Sequence, residues 1–155
     1  MRDFIKPLPD AVMQAPRWWV GLSGGADSVA LLYALCGYAK EHARPPIHAI
    51  HVHHGLQPEA DEWSVLCQRH ADVLGVPIEI TACEVRPSGR GLEADARSAR
   101  YSAFEAVLAA DEVLFTAHHA DDMVETLFLR LLRGEGHETV GHLSPVSCTP
   151  FRTPA

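Results

Sequence analysis

The sequence WWVGLSGGADSVALLYAL (residues 18–35) passes from an apolar segment through Ser-Gly-Gly into an apolar, helix-like pattern. Two glycines at such a junction let the backbone turn tightly and leave its N–H groups accessible. The helix that follows adds the positive end of its dipole, and these features together favour the binding of an anion. The stretch therefore predicts a buried strand, an anion-binding loop and a helix that begins at about Ser28.

The chain on either side of this junction alternates short apolar segments with longer amphipathic ones. The predicted strands are 17–22, 47–52, 76–82 and 112–116, and the predicted helices are about 28–43, 58–74, 92–110 and 121–134. Strands that alternate with helices of this length pair in parallel through crossover helices. We therefore predict an α/β fold, a doubly wound parallel sheet with helices on both faces. The predicted strand order is 3-2-1-4, with a possible short fifth strand.

This strand order also predicts where a ligand binds. In doubly wound sheets, ligands bind beyond the carboxyl ends of the strands, where the strand order reverses. Strands 1 and 4 are neighbours at that point, and they are followed by SGGADS (23–28) and AHHADD (117–122). We expect these two polar junctions to face each other.

Composition limits the class of protein. A chain of 155 residues has the length of one domain. With 13 Lys and Arg against 20 Asp and Glu, its net charge is −7, which disfavours binding of DNA or RNA by this chain alone. The sequence contains neither a signal-peptide pattern nor an apolar run long enough for a membrane span. Its four dispersed cysteines favour a reduced, cytoplasmic protein.

The loop after the first strand predicts how the anion is held. Its six residues are Ser23, Gly24, Gly25, Ala26, Asp27 and Ser28. The loop has neither the lysine of a P-loop nor the G-x-G-x-x-G spacing. The two serine hydroxyls can donate to phosphate oxygens, whereas the Asp27 carboxylate needs a cation between itself and phosphate, which predicts Mg²⁺ there. The alternative is a tight strand-to-helix turn capped by Asp or Ser.

The motif S-G-G-x-D-S resembles the signature of the N-type ATP pyrophosphatases, the PP-loop superfamily. Those enzymes cleave ATP between its α and β phosphates, adenylate a carbonyl oxygen and release pyrophosphate. Three more stretches, VHHGLQPEADEW (52–63), LEADARSARY (92–101) and TAHHADDMVETLFLRLLRGEG (116–136), resemble the tRNA(Ile)-lysidine synthetases. The resemblance implies an adenine nucleotide alpha hydrolase-like, Rossmann-like fold, with ATP and Mg²⁺ at the loop.

The same resemblance implies a reaction and its partners. It predicts a ligase that adenylates C2 of an anticodon cytidine in isoleucine tRNA, after which the amino group of L-lysine displaces AMP. It divides the chain into an N-terminal extension (1–15), a PP-loop ATP-binding domain (16–136) and an irregular tail (137–155) that we interpret as cut short. Members of that family continue into domains that bind tRNA, so we expect this chain to bind ATP well and tRNA weakly.

Three carboxylates near the start of the predicted fourth helix are candidates for the second half of that reaction. Asp122 and Glu125 are spaced i, i+3 and share a helix face, directly after Asp121. Carboxylates at this position also cap a helix and complement its dipole, which is the alternative for Asp121. A carboxylate can bind the ammonium of lysine or accept its proton. The resemblance favours Asp122 in that role, with Glu125 in support.

Histidines and arginines complete the predicted site. We expect His54, at the end of strand 2, and His118, four residues before Asp122, to line it. Arg97 and Arg100 share a face of the third helix. They form either a solvated, salt-bridged face or a cationic clamp on the phosphates, and the resemblance supports the clamp. The predicted catalytic residues are thus Asp27, Arg97, Arg100 and Asp122.

Two other functions stay open from the sequence. One is another PP-loop synthetase, although the thiolating relatives typically carry C-x-x-C pairs that this chain does not have. The other is a non-catalytic ATP-binding fragment that lacks the tRNA-binding domains. ATP binding combined with pyrophosphate release distinguishes a synthetase from such a fragment.

Overall fold

The computed structural model describes residues 8, 10–41, 45–55, 60–89 and 91–117. Within these ranges, helices and strands alternate along the chain. The helices are α1 (Asp10–Met13), α2 (Ala26–Glu41), α3 (Ala60–Leu74) and α4 (Leu92–Val107). The strands are β1 (Trp18–Leu22), β2 (Ile47–His53), β3 (Ile78–Ala82) and β4 (Val113–Thr116).

The four strands form one parallel sheet in the order β3-β2-β1-β4. Trp18, at the start of β1, lies opposite Ile47 of β2 and Val113 of β4. The predicted fold class and strand order are therefore confirmed. Because β1 has neighbours on both sides, its carboxyl end lies in the middle of the sheet edge. The residues of a possible fifth strand and of the predicted fourth long helix lie outside the described ranges.

Helices cover both faces of the sheet, because alternate residues of β1 point to opposite sides. Trp18, Val20 and Leu22 belong to the core cluster that includes side chains of α2 and α3. Trp19 belongs to a second cluster with Phe104 of α4. The fold thus has three layers, with α2 and α3 on one face and α4 on the other, as predicted.

The first two residues of β1 are also held by hydrogen bonds from their indole groups. Trp18 Nε1 donates to the carbonyl oxygen of Val12, which attaches α1 to the sheet, at 2.7 Å. Trp19 Nε1 donates to Glu112 Oε2, also at 2.7 Å. Buried indole N–H groups need such acceptors. These bonds therefore fix the amino end of β1, which lies at the opposite end of the strand from the candidate site.

Several element boundaries differ from the prediction. Helix α2 begins at Ala26 rather than at Ser28, because the Gly25 carbonyl already accepts a helical bond from the Val29 N–H at 3.3 Å. Helix α4 ends at Val107 rather than near residue 110, because Leu108 is extended, with φ −75° and ψ 133°. The short helix α1 was not predicted.

The end of α3 follows the prediction. Gly75 has φ 66°, and the Val76 N–H bonds to the Ala71 carbonyl at 2.9 Å, which is the pattern of a glycine C-cap. The predicted first residues of that helix, 58 and 59, lie outside the described ranges, as do residues 42–44 at the predicted end of α2.

Candidate functional site

The loop between β1 and α2 lies at the carboxyl end of the central strand. Gly24 has φ 88°, in the left-handed region that favours glycine. A β-carbon on Gly24 would lie 3.0 Å from Trp63 Cβ, so the contact with α3 also requires glycine. A β-carbon on Gly25 would meet only Ser23 Oγ, at 3.4 Å. The two glycines therefore have different roles: Gly24 is required by the fold, and Gly25 is open to solvent or ligand.

Hydrogen bonds inside the loop hold its shape. The Ser28 hydroxyl donates to the Gly25 carbonyl at 2.9 Å and accepts a bond from the Ser23 N–H at 3.1 Å. Ser23 Oγ donates to Ser28 Oγ at 3.2 Å and accepts from the Gly25 N–H at 3.3 Å. Ser28 is buried, and its one hydroxyl proton is donated to the Gly25 carbonyl. In this structure Ser28 therefore stabilises the loop, whereas the exposed Ser23 is the serine that can turn to a phosphate.

Asp27 lies in the first turn of α2, and its side chain is exposed. A carboxylate here interacts favourably with the positive end of a 16-residue helix. It also stands beside the loop whose N–H groups would face an anion. This position fits a Mg²⁺ ion shared with phosphate oxygens, because Mg²⁺ on phosphates needs only one or two protein carboxylates.

A cavity opens beside the loop, between the ends of β1 and β2 and the side of α4. Its polar lining includes Ser23, Ser28 and the histidines 51, 53 and 54, and its apolar lining includes Leu22, Val52, Trp63 and Phe104. Thr116 and Ala117 complete the wall at the end of β4. The lining combines apolar surfaces with a few convergent polar groups, as small-molecule sites generally do.

Three histidines at the end of β2 have distinct surroundings. His51 is buried, and its Nδ1 lies 2.8 Å from the Leu22 carbonyl, so Nδ1 must carry the proton. Burial lowers the pKa of His51, and the Leu22 carbonyl only partly opposes this. His53 Nε2 lies 2.9 Å from Asp61 Oδ1 at the start of α3. His54 lines the cavity, and burial together with the Arg100 charge lowers its pKa.

The structure separates the two arginines of the predicted clamp. Arg100 lines the cavity, and its charge lowers the pKa of His54. Arg97, one turn earlier, is exposed, and its Cζ lies 5.3 Å from the centre of the Tyr101 ring. Arg97 is absent from the cavity lining formed by the described residues. Only Arg100 is therefore in place to act on a ligand in the cavity.

The start of α4, which carries both arginines, is anchored by a residue that sequence reasoning missed. Asp95 is buried and accepts two hydrogen bonds from Ser88, one from its N–H at 2.8 Å and one from its hydroxyl. The strand-to-helix loop is thereby tied to the helix it precedes. A buried carboxylate bonded in this way fixes the position of the helix that carries Arg100.

Other predicted site residues follow Ala117, which is the last described residue and lines the cavity. They are His118, Asp121, Asp122 and Glu125, and all four lie outside the described residues. Within the described ranges, His, Cys, Asp and Glu side chains form no group of three that could hold a metal ion. In the same part of the chain, no helix is long and apolar enough to cross a membrane. The cysteines described there, Cys36, Cys67 and Cys83, are free thiols.

Sequence reasoning also missed Trp63 and Cys67, which face the loop from α3. Trp63 lies against Gly24, and Cys67 is fully buried 3.5 Å from His51 Nδ1. A signal was available, because Ala60, Trp63, Cys67 and Ala71 recur at the i, i+3, i+4 spacing of a buried helix face. That pattern predicts burial, but it does not identify the loop as the neighbour.

The chain is similar to several known proteins. A family model described as a PP-loop domain matches residues 1–150. The chain is 50% identical over 124 residues to the tRNA(Ile)-lysidine synthase of Pseudomonas putida, covering 80% of this chain and 29% of that protein. It is 45% identical over 135 residues to the tRNA(Ile)-lysidine synthase of Chromobacterium violaceum, covering 86% and 31%. The chain thus spans less than a third of the length of these curated relatives.

A solved structure shares the fold. The U34-tRNA thiolase NcsA from Methanococcus maripaludis, with its 4Fe-4S cluster, superposes with a TM-score of 0.63 at 19% identity. The match covers 87% of this chain and 49% of that one. At this identity the likeness shows a common fold and nothing about the reaction.

Proposed function

Because the chain belongs to the PP-loop domain family, we propose that it performs the ATP-dependent step of a tRNA(Ile)-lysidine synthase. In that reaction C2 of an anticodon cytidine in isoleucine tRNA is adenylated, pyrophosphate leaves, and the amino group of L-lysine then displaces AMP. The curated relatives at 45–50% identity carry that name. The observation that carries the proposal is the loop of residues 23–28, which opens α2 at the end of the central strand beside a cavity.

The loop would bind the β and γ phosphates, which leave together as pyrophosphate. The N–H groups at the start of α2 are oriented by a helix of 16 residues, whose dipole favours negative charge there. Ser23 is exposed and can donate to a phosphate oxygen. Asp27 would hold Mg²⁺, which supplies positive charge to the departing pyrophosphate. Ser28 would keep the loop closed through its bond to Gly25.

Part of the adenosine moiety would lie against the cavity, whose volume of about 80 Å³ among the described residues is too small to enclose a nucleoside. Its apolar side chains, which include Leu22, Val52 and Phe104, come from the ends of β1 and β2 and from α4. These three side chains are themselves buried. Transfer of the planar adenine base from water onto such an apolar surface is favourable. The adenosine would then lie beside the loop, with its phosphates towards α2.

We assign to Arg100 the stabilisation of the negative charge that develops around the α phosphate in the transition state. A fixed cation near a reacting phosphoryl group stabilises the transition state more than the ground state. Arg100 lines the cavity beside His54, whose lowered pKa keeps it neutral at physiological pH. Arg97 would have to leave its place over Tyr101 to share this role.

The lysine step is assigned to residues that follow Ala117 along the chain. The resemblance favours Asp122 for binding the ammonium of L-lysine, with Glu125 in support, and leaves Asp121 as a lining residue or a helix cap. We also assign His118 to a polar contact near the nucleotide. Ala117, which directly precedes these residues in the chain, lines the cavity. Isoleucine tRNA would be a weak partner of this chain alone, because its net charge is −7. A cytoplasmic location fits these substrates.

Two measurements test the proposal. Isothermal titration calorimetry should detect ATP binding to the chain, stronger with Mg²⁺ than with EDTA. A pyrophosphate-release assay with isoleucine tRNA and lysine should give a signal that depends on the tRNA. A chain that binds no ATP would refute the proposal. ATP binding without any tRNA-dependent pyrophosphate release, even at low salt, would favour the non-catalytic alternative. Pyrophosphate release with a different tRNA would favour another PP-loop synthetase.

A further inference from the structure

One face of α3 lies directly against the loop that would bind phosphate. Trp63 and Cys67 are spaced i, i+4, so their side chains lie on the same side of the helix. A β-carbon on Gly24 would come within 3.0 Å of Trp63 Cβ and 3.1 Å of its Cγ. The backbone of Gly24 therefore lies close to the base of the Trp63 side chain, with no room for a side chain between them.

Cys67 lies one turn further along the same face of α3. Burial raises the pKa of Cys67 to about 11, and the backbone N–H of Gly24 partly opposes this. With such a pKa and no exposed surface, the thiol is protonated at neutral pH and is no nucleophile. Its contribution is therefore structural, through its contact with His51.

The residue before the loop is held from the same cluster. Cys67 Sγ lies 3.5 Å from His51 Nδ1, which in turn lies 2.8 Å from the carbonyl oxygen of Leu22. Leu22, directly before Ser23, is thus held by the buried His51 of β2, which Cys67 of α3 contacts in turn. Cys67 has no exposed surface and is absent from the cavity lining formed by the described residues, so it does not touch a ligand there.

We propose that Trp63 and Cys67 are positioning residues for the phosphates of ATP: before the nucleotide arrives, Trp63 packs against Gly24 in its left-handed conformation, and Cys67 supports Leu22 through His51. The inference rests on the proposed function, since it assumes that the loop binds ATP. A glycine-rich loop that is free to move loses conformational entropy when it closes on a ligand. A loop that is already held loses less, so the contact with α3 raises phosphate affinity without touching the phosphates.

The first experiment separates positioning from direct contact and from general stability. The affinities for ATP and for inorganic pyrophosphate, both with Mg²⁺, are measured by calorimetry on the 155-residue chain and on Trp63→Ala and Trp63→Leu. We expect Trp63→Ala to lose at least about tenfold in ATP affinity, which is about 1.4 kcal/mol. Pyrophosphate affinity should fall by a similar factor; because Trp63 also lines the cavity, only a loss that persists without adenosine is a loss at the phosphates. Trp63→Leu should recover most of the loss, because it keeps the Cβ and Cγ that lie against Gly24.

Cys67→Ala provides an independent test, with Cys36→Ala as its matched control. Both thiols are buried in the same core cluster, but Cys36 lies on α2 away from the loop. Each substitution should lower the melting temperature, and only Cys67→Ala should lower the affinities for ATP and pyrophosphate. Unchanged pyrophosphate affinity in Trp63→Ala or in Cys67→Ala would overturn the role proposed for that residue. Failure of the unmodified chain to bind ATP would instead overturn the proposed function.

Discussion

His51 Nδ1 lies 2.8 Å from the carbonyl oxygen of Leu22, so a side chain of β2 holds the last residue of β1. The two residues are also directly opposite each other in the parallel register of the strands. The carbonyl only accepts hydrogen bonds, which places the proton of the neutral imidazole on Nδ1. The backbone that enters the phosphate loop is therefore fixed by a buried, neutral histidine.

This arrangement predicts how stability depends on pH. Burial, with smaller contributions from the charges of His53 and His54, lowers the pKa of His51 below its ordinary 6.5. As the pH falls below 6.5, the unfolded chain therefore binds the proton first, and the free energy of unfolding decreases. Well above that pH His51 is neutral in both the folded and the unfolded chain, so its effect on the free energy of unfolding no longer changes with pH. Urea denaturation at several pH values between 7.5 and 5 (roughly the window in which histidines titrate) should show the decrease.

The variant His51→Gln keeps an N–H donor for Leu22 and removes the titration. It should lose less stability than the unmodified chain between neutral pH and pH 5. Part of the decrease should remain, because burial also lowers the pKa of His48 and His54. An unchanged decrease in His51→Gln would mean that His51 does not stay neutral in the folded chain.

The two glycines of the loop should respond differently to substitution. Gly24→Ala places a β-carbon 3.0 Å from Trp63 in a left-handed conformation, so it should destabilise the fold by at least roughly 1–2 kcal/mol. A β-carbon on Gly25 meets only Ser23 Oγ, at 3.4 Å, so Gly25→Val should cost less stability than Gly24→Ala, yet it should abolish ATP binding by filling the space before the loop. Chemical denaturation and calorimetry on both variants provide the comparison. Normal ATP binding by Gly25→Val would show that this loop does not bind the phosphates.

Asp27→Asn should weaken ATP binding more with Mg²⁺ than with EDTA, because a carboxylate beside phosphates is favourable only when a cation lies between them. Glu62→Gln is the matched control, since Glu62 is an exposed carboxylate in the first turn of α3. It should change neither affinity. Equal losses with and without Mg²⁺ would reduce Asp27 to a residue that complements the helix dipole.

Arg100→Met should lower the rate of pyrophosphate release by at least about tenfold, a conservative value for the loss of one charge-stabilising donor. Arg97→Met should have a smaller effect, because Arg97 is exposed and lies over Tyr101 outside the cavity lining. Because the Arg100 charge lowers the pKa of His54, Arg100→Met should also raise that pKa, which NMR titration can measure. The reverse order of rates would assign the clamp to Arg97.

The sheet could be predicted because the strand signals are local. Apolar segments such as residues 17–22, bounded by glycine and proline, are sufficient to predict β1, and the length of the helices makes the pairing parallel. The start of α2 was predicted two residues late, because Ser28 looks like a cap. In the structure its hydroxyl bonds back to Gly25 from inside the first turn. The acceptor that the Ser28 hydroxyl bonds to depends on the path of the loop. The sequence pattern does not specify that path.

The support beneath the loop could not be predicted for a different reason. The spacing of Trp63 and Cys67 indicates a buried face of α3, but their neighbours depend on how α3 crosses β1 and β2. Likewise, Arg97 and Arg100 are equivalent by spacing, and only the position of α4 brings Arg100 alone to the cavity. Contacts between elements distant in sequence decided each of these cases.

The last prediction concerns what the chain does with tRNA. It carries the loop, the cavity and Arg100, but it is acidic and spans less than a third of its curated relatives. Since contacts to phosphates dominate affinity for RNA, we expect strong ATP binding but weak tRNA binding at physiological salt. Incorporation of labelled lysine into isoleucine tRNA should be slow, should require ATP, and should disappear in Asp122→Ala. Lowering the salt concentration should raise the rate of lysine incorporation, because the attraction between the few basic groups of the chain and the tRNA phosphates is then screened less. Rapid ATP-dependent incorporation at physiological salt would show that these 155 residues suffice for tRNA binding and that net charge is no guide to it here.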